Sequence, residues 1–338
     1  MHKPHLILSL LALLWLAAPA AWSASLEELQ EQARQGEAKS QYLLGLRYET
    51  GKGGVDRDPV QAANWYRQAA DQGYSRAQTN LGNLYRAGRG VSQDYAKALE
   101  LYRQAAAKGD TKAQMNIGIM YLEGKGVPAD TDQALEWLRK SANQGDTQAM
   151  NHLASMYLTG HEVGKNYDEA VKWMRMAANQ GDPVGQHSLG LAYYYGHGVD
   201  KDMAASARWH RKAAEQGYPP AQYSLGLRYA KGKGVPQDYG DAFDWYRKAA
   251  KKSHTGAMNN LGLLYRKGQG TERDYAKALD WFTKAAKRGF PPAEYNLGNM
   301  YRKGQGVAKD PAEARNWFQQ AADKGHKGAQ KALKKMGD

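Results

Sequence analysis

Apolar and polar residues follow a helical period along most of this chain. In residues 75–88, SRAQTNLGNLYRAG, the side chains of Ala77, Leu81 and Leu84 recur three or four residues apart and therefore lie on one helix face. Gly88 ends this segment, and glycine just past a helix end adopts the left-handed backbone conformation without a steric cost. The pattern predicts a helix that ends at Gly88.

A start signal in the same position of each copy predicts a second helix. Asp or Asn stands there, and either side chain can accept hydrogen bonds from the free amides of the first helical turn. Proline follows at Pro59 and Pro311, in the first helical position that proline favours. The predicted N-caps are Asp58, Asp94, Asp130, Asn166, Asp202, Asp238, Asp274 and Asp310.

An aromatic position lies within this second helix and precedes an alanine pair such as Ala105 and Ala106. Large rings interlock closely with small residues on neighbouring helices. We therefore expect the aromatic position to lie in the core, opposite alanine and glycine. One copy has Leu101 there, and the others have Trp65, Trp137, Trp173, Trp209, Trp245, Trp281 and Trp317.

The helix pair recurs with a fixed period. Gly82 is followed 36 residues later by Gly118, and the phase then continues unbroken to Gly298. Self-similarity with a period of roughly 20 to 50 residues is the signature of a solenoid. We predict an all-α fold of eight 36-residue helix-turn-helix repeats. Because the glycine-rich loop recurs in successive repeats, we interpret it as a connection between helices and not as a phosphate-binding loop.

The first residues lie outside the repeat pattern. A short basic stretch, MHKPH, precedes the apolar stretch LILSLLALLWLAA, and small residues follow, which is typical of a secretory signal peptide. Residues 1–23 are therefore predicted to be a signal peptide, cleaved after Ser23 or alternatively after Ala20. The chain has no cysteine, and an exported protein without disulfides suggests the bacterial periplasm.

The remaining residues, 24–338, are predicted to form a single solenoid domain. Its N-terminal capping helix is expected at 24–37, its eight repeats at 38–325 and its C-terminal capping helix at 326–338. No linker rich in serine or proline interrupts the array. The periodicity therefore outweighs the two domains that chain length alone would suggest.

The segment AQYSLGLRYAKGKGVPQDYGDAFDWYRKAAKKS, residues 221–253, resembles the Sel-1-like repeat, a relative of the tetratricopeptide repeat. Ala, Leu-Gly, Tyr, Gly-x-Gly-Val, Asp and Trp-Tyr all stand in register, and the resemblance extends from Leu26 to about Lys335. It implies a right-handed α/α solenoid with capping half-repeats. Bacterial members of this family include envelope-signalling regulators, exopolysaccharide-assembly components and immunity proteins against secreted toxins.

The resemblance implies binding, since fold alone does not specify chemistry. We expect a non-catalytic periplasmic scaffold that sequesters a partner protein in its concave groove. The sharpest form of this hypothesis is an immunity protein that neutralises a type VI secretion effector such as a phospholipase. The alternatives are a regulator of a sensor kinase or an envelope or exopolysaccharide assembly factor, and, in another class, a cell-wall or β-lactam-binding enzyme.

Motifs of catalysis are missing from the sequence. HEVGK at 161–165 lacks the second histidine of a zinc protease, and no serine stands in a Gly-x-Ser-x-Gly elbow. The segment from Gly118 to Lys125 is one residue too long for a phosphate-binding loop. We therefore expect no enzyme activity, no cofactor and no metal.

A variable stripe on the first helix of each repeat is the predicted partner-binding surface. With the glycine of Leu-Gly as position zero, positions −3, +1 and +4 share one helix face, which in tetratricopeptide arrays lines the groove. Residues there change from copy to copy, so they are free to encode specificity. The predicted binding residues are Arg86, Met115, Ile119, Leu122, His187, Leu191, Tyr194, Tyr223, Leu227, Arg266, Tyr295, Asn299 and Arg302.

The net charge of +13 narrows the class of partner. Nucleic acid is the usual partner of so basic a chain, but the predicted export removes it. Two alternatives remain for the partner: an acidic protein, or an anionic membrane surface that the protein contacts without being inserted in the membrane. We expect the protein to be a monomer.

Overall fold

The computed structural model describes residues 25–161 and 163–337, so the predicted signal peptide at 1–23 lies outside the described residues. Within these ranges all regular structure is α-helical and no strand occurs. No helix in the described ranges is long and apolar enough to span a membrane.

The helices fall into two compact units, which meet in sequence between Asp146 and Thr147. The first unit contains α1 (Leu26–Arg34), α2 (Ala38–Thr50), α3 (Pro59–Asp71), α4 (Ser75–Ala87), α5 (Tyr95–Ala107), α6 (Thr111–Glu123) and α7 (Thr131–Asn143). The second contains α8 (Thr147–Thr159), α9 (Tyr167–Asn179), α10 (Pro183–Tyr195), α11 (Met203–Glu215), α12 (Pro219–Lys231), α13 (Tyr239–Lys251), α14 (Thr255–Lys267), α15 (Tyr275–Ala286), α16 (Pro291–Lys303), α17 (Pro311–Asp323) and α18 (Lys327–Gly337).

Each helix packs against the helices before and after it within its unit. The pairs from α2 and α3 to α16 and α17 are the eight predicted repeats, with an unpaired helix before the first and after the last. The prediction of an all-α repeat array is therefore confirmed.

Helix ends agree with the capping signals in the sequence. The Asp94 carboxylate accepts a hydrogen bond from the amide of Lys97 at 3.0 Å, and Gly88 ends α4 with φ of 63°. All eight predicted N-cap side chains accept at least one amide of the helix that follows. These contacts fix where each second helix begins.

The core of a repeat is built where its two helices cross at the glycine of Leu-Gly. A methyl group on Gly82 would lie 2.6 Å from Cε1 of Tyr102, whose side chain is fully buried. Leu138 stands in the same relation to Gly118. Removing the side chain at position zero lets the second helix approach this closely.

The expectation that the tryptophan position occupies this place is wrong by one residue. The buried side chain against the glycine is the residue after the tryptophan, and most of the tryptophans are half-buried. One residue is about 100° of helix rotation, which turns the tryptophan away from the glycine. Lys140, Lys212, Lys248 and Lys284 lie over the tryptophans three residues earlier, at 3.9 to 4.9 Å from the ring centroids.

Candidate functional site

In the first unit, the stripe positions are partly buried, and the polar side chains of Glu49 and Asn83 are paired within the protein, whereas the buried Thr79 hydroxyl has no hydrogen-bond partner. Glu49, at position +4 of the first repeat, accepts a hydrogen bond from the Tyr66 hydroxyl at 2.8 Å and pairs with Arg89 at 3.3 Å. Asn83 accepts hydrogen bonds from the Tyr102 hydroxyl and from the Asn116 amide. Glu49 and Asn83 are therefore already satisfied by neighbouring side chains of the same unit.

The residues of the first unit that are predicted to bind a partner are buried or half-buried. Met115 is buried, with 8% of its surface exposed, while Ile119, Leu122 and Arg86 are half-buried. Burial raises the pKa of Tyr102 to about 12, and the nearby guanidinium of Arg86 acts against that rise. The apolar members offer a small surface beside a self-contained polar network.

In the second unit, three predicted residues at position −3 contact the residue that precedes the next first helix. The ring of His187 meets Tyr218 edge-on at 5.6 Å, and Tyr223 stacks on His254 at 4.5 Å. Tyr295 stacks on His326 at 4.7 Å. These side chains are half-buried, so they join successive repeats as well as facing the stripe.

Tyr194, at position +4 of α10, lies against a buried arginine. The guanidinium of Arg228 is centred 3.7 Å from the Tyr194 ring centroid, and Lys233 Nζ lies 3.5 Å from the hydroxyl. A hydrogen bond from Arg228 lowers the pKa of Tyr194. Leu191 and Leu227 lie half-buried on the same stripe. Sequence reasoning missed Arg228 because position +2 is a packed position in most repeats.

Two histidines of the second unit, His187 and His210, stack on each other. His210 is fully buried in the place against Gly190 that tyrosine, phenylalanine or leucine takes in other repeats, and its ring stacks on His187 at 5.0 Å. Neither His210 nitrogen has a hydrogen-bond partner. Burial lowers the pKa of His210 to about 2 and that of His187 to about 4, so both are neutral at pH 7.

Four predicted residues come together in one pocket between α14 and α16, which we name the arginine pocket. Its volume is about 410 Å³. Both arginines in it donate to asparagine oxygens: Arg266 to Asn296 at 3.4 Å, and Arg302 to Asn299 at 2.8 Å. The pocket is lined by Arg266, Tyr295, Asn296, Asn299, Arg302, Lys303 and Gln305.

The charge in the arginine pocket is unbalanced. Three of its lining side chains are cationic, and no carboxylate lines it. Burial lowers the pKa of Arg266, because removal from water disfavours the charged form, and the neighbouring Tyr295 and Tyr275 oppose this shift only in part. In the described residues of α14 and α16 the single carboxylate is Glu294, which is buried and paired with Lys324. The pocket can therefore accept negative charge.

A second pocket, of about 420 Å³, lies in the first unit between α3, α4 and α5. Leu101 lines it at the position where other repeats carry tryptophan, so the smaller side chain leaves the space open. It contains none of the predicted binding residues. Nowhere in the described residues do three potential metal-ligating side chains form a group that could hold an ion.

Comparison with known proteins gives a family-model match over most of the chain and two solved structures of similar sequence. A crystal structure of c5321, described as a protective antigen of uropathogenic Escherichia coli strains with an SLR fold, is 38% identical with a TM-score of 0.75. It covers 92% of this chain and 66% of that protein. The Sel1 repeat model matches residues 38–74, 75–110, 111–146, 147–182, 183–218, 219–254, 255–290 and 291–326.

A Sel1 repeat protein from Oxalobacter formigenes is 34% identical with a TM-score of 0.69, over 92% of this chain and 90% of that one. Among curated proteins, the ERAD-associated E3 ubiquitin-protein ligase component HRD3A of Arabidopsis thaliana is 39% identical over 62 residues. That match spans 18% of this chain and 9% of HRD3A. The chain thus spans just under two thirds of the E. coli antigen and a small part of HRD3A.

Proposed function

We propose that this chain, which belongs to the Sel1 repeat family, captures a partner protein along the stripe of its first helices. Sel1 arrays are protein-protein interaction scaffolds. The helix pairs supply a rigid frame, and the residues that change between repeats supply the contacts. The partner would meet the apolar middle of the stripe and its cationic end in the second unit.

One observation carries the proposal: Arg266, Tyr295, Asn299 and Arg302, chosen as a variable stripe, line one pocket with unneutralised positive charge. A surface shaped only by packing would neutralise such groups, as Glu49 does for Arg89 in the first unit. Half-buried Tyr194 adds an aromatic residue of a type that is enriched among those dominating binding energy in protein interfaces, and Leu191 and Leu227 add apolar area beside it.

In its finer form the proposal is an immunity protein of the periplasm, which neutralises a secreted effector such as a type VI phospholipase. The signal-peptide pattern of residues 1–23 and the family resemblance support it. Blocking a toxin needs only tight binding, which a non-catalytic array provides.

Quantitative affinity capture from periplasmic extract tests the binding function. Residues 24–338 are immobilised beside two adjacent variants, Tyr194→Ala on the stripe and Tyr193→Ala outside it. We expect one protein to be enriched by the parent chain and by folded Tyr193→Ala, and depleted with Tyr194→Ala. Equal enrichment with both variants at equal helicity would remove Tyr194 and the adjoining stripe from the binding surface.

Toxicity assays then test the immunity role. The captured protein is exported to the periplasm of a sensitive host with and without this chain. Growth arrest that this chain relieves supports immunity. If the captured protein is a sensor kinase or a polysaccharide-assembly protein and causes no growth arrest, the immunity hypothesis would be replaced by that of a regulator or an assembly factor.

A further inference from the structure

We propose that the arginine pocket binds the side-chain carboxylates of an acidic segment of the partner protein. The inference rests on the proposed function for the partner's identity, and the pocket's chemistry can be tested without it. Its basis is a cavity lined by Arg266, Arg302 and Lys303 together with buried asparagines and without an acid.

The guanidinium groups are positioned for recognition. Arg302 donates one hydrogen bond to Asn299, whose own amide donates to the Tyr295 carbonyl at 3.0 Å. Arg266 donates to Asn296, which in turn donates to Asn259 at 2.9 Å. A guanidinium has five N–H donors, so one such bond leaves others for a bidentate carboxylate.

Each guanidinium also lies near an aromatic ring of the core. Arg266 is centred 5.9 Å from the Phe282 ring and Arg302 is centred 5.8 Å from the Phe318 ring. These rings are fully buried against the glycines of α14 and α16. The fixed rings and asparagines restrict the two cations before a ligand arrives, which lowers the entropy lost on binding.

The arrangement favours several side-chain carboxylates over one terminal carboxylate. Arg266 and Arg302 occupy the same position, +4, of successive first helices, so the positive charge repeats along the stripe. A segment with several Asp or Glu residues can match that repetition, whereas a chain end supplies a single group. Arg208 lies on the second helix α11, is exposed and does not line this pocket, which makes it a control outside the predicted binding surface.

Calorimetric titration tests the pocket with a defined probe, N-acetyl-tetraglutamate amide, at low ionic strength because screening weakens such contacts. Tetraglutamine amide, tetraglutamine with a free C-terminus and inorganic phosphate are the comparison ligands. We expect the glutamate peptide to bind and the neutral peptide not to bind. Arg266→Gln and Arg302→Gln should each weaken binding about tenfold, Arg266→Lys should weaken it less, and Arg208→Gln should leave it unchanged.

Circular dichroism melts establish that each variant is folded before its affinity is compared. The proposal would be overturned if the glutamate peptide did not bind, or if Arg266→Gln and Arg302→Gln bound it as tightly as the parent chain does. Stronger binding of phosphate or of the peptide with a free C-terminus would also overturn it. Partner capture separates this from the function: capture that persists in both glutamine variants leaves the function standing without the pocket. Binding of the glutamate peptide without any captured partner protein would leave the pocket proposal standing without the proposed function.

Discussion

Gly226 of α12 lies so close to Tyr246 of α13 that a methyl group on it would stand 2.6 Å from Cε1 of the ring. The Tyr246 side chain is 2% exposed and cannot move aside. Gly226→Ala gains about 1 kcal/mol of helix propensity, but overpacking a core costs about 1 to 3 kcal/mol. We expect the urea midpoint to fall with Gly226→Ala.

The chain contains a natural control for this substitution. In the fourth repeat, Ala154 replaces the glycine, and the corresponding ring position is the flexible Met174. In a Tyr246→Met background, Gly226→Ala should therefore cost nothing or should stabilise. If the alanine costs the same free energy in both backgrounds, the contact between ring and glycine does not set the requirement for glycine.

Leu101→Trp tests why the pocket of the first unit exists. Indole at this position should fill the space between α3, α4 and α5, as Trp137 packs against the next core cluster. Filling a cavity commonly stabilises a protein by about 0.5 to 2 kcal/mol, so the urea midpoint should rise. Trp137→Leu is the reciprocal variant and should lower the urea midpoint. If both variants raised the urea midpoint, the pocket would not be explained by the loss of tryptophan at position 101.

The period and the ends of the repeat helices could be predicted, because they depend on local signals that recur in the eight repeats. The buried residue of the second helix could not, since tryptophan and its neighbour are both large and differ by one step of helix rotation. Tyr102, Tyr246 and Phe282 share burial against glycine, not a residue type. The residue after the tryptophan is leucine, methionine or histidine in some repeats, and this variation does not reveal from the sequence that it is the more buried of the two positions.

The arginine pocket was predicted only as separate residues. The stripe rule placed Arg266 and Arg302 on one face, but the missing carboxylate and the asparagine contacts depend on distances between repeats. Arg228 was missed for the opposite reason, since position +2 is apolar in most repeats and its approach to Tyr194 joins two helices 36 residues apart. Departures from a repeat consensus at packed positions are the signal that would have found it.

Ser253 is the one residue other than glycine with positive φ, 66°, in the described chain. It occupies the position after the second helix at which other repeats have glycine, and the left-handed conformation costs an L-residue about 1 to 2 kcal/mol. Ser253→Gly should therefore raise the melting temperature. Ser253→Ala keeps the strain and loses the hydrogen bond from Arg288 to the Ser253 hydroxyl at 3.2 Å, so a gain with alanine as well would rule out relief of strain.

Acid should destabilise the second unit through His210. Its folded pKa of about 2 lies below the ordinary value of 6.5, because burial disfavours the cation and His187 on α10 and Arg228 on α12 oppose it. The unfolded chain therefore takes up a proton below pH 6.5 that the folded chain does not. Stability is complete above that pH and falls as the pH drops, by about 1.4 kcal/mol per pH unit for one such group.

His210→Phe places in the fifth repeat the residue that Phe282 and Phe318 provide in later ones, and it removes two buried nitrogens without partners. We expect a higher urea midpoint at pH 7 and a smaller loss of stability between pH 7 and pH 5, measured beside the parent chain. The remaining slope in the variant should come from His187, whose folded pKa is about 4, and from His254, whose pKa burial also lowers. Parallel pH profiles for the two proteins would show that His210 is protonated without unfolding, and that the surrounding helices yield to admit water.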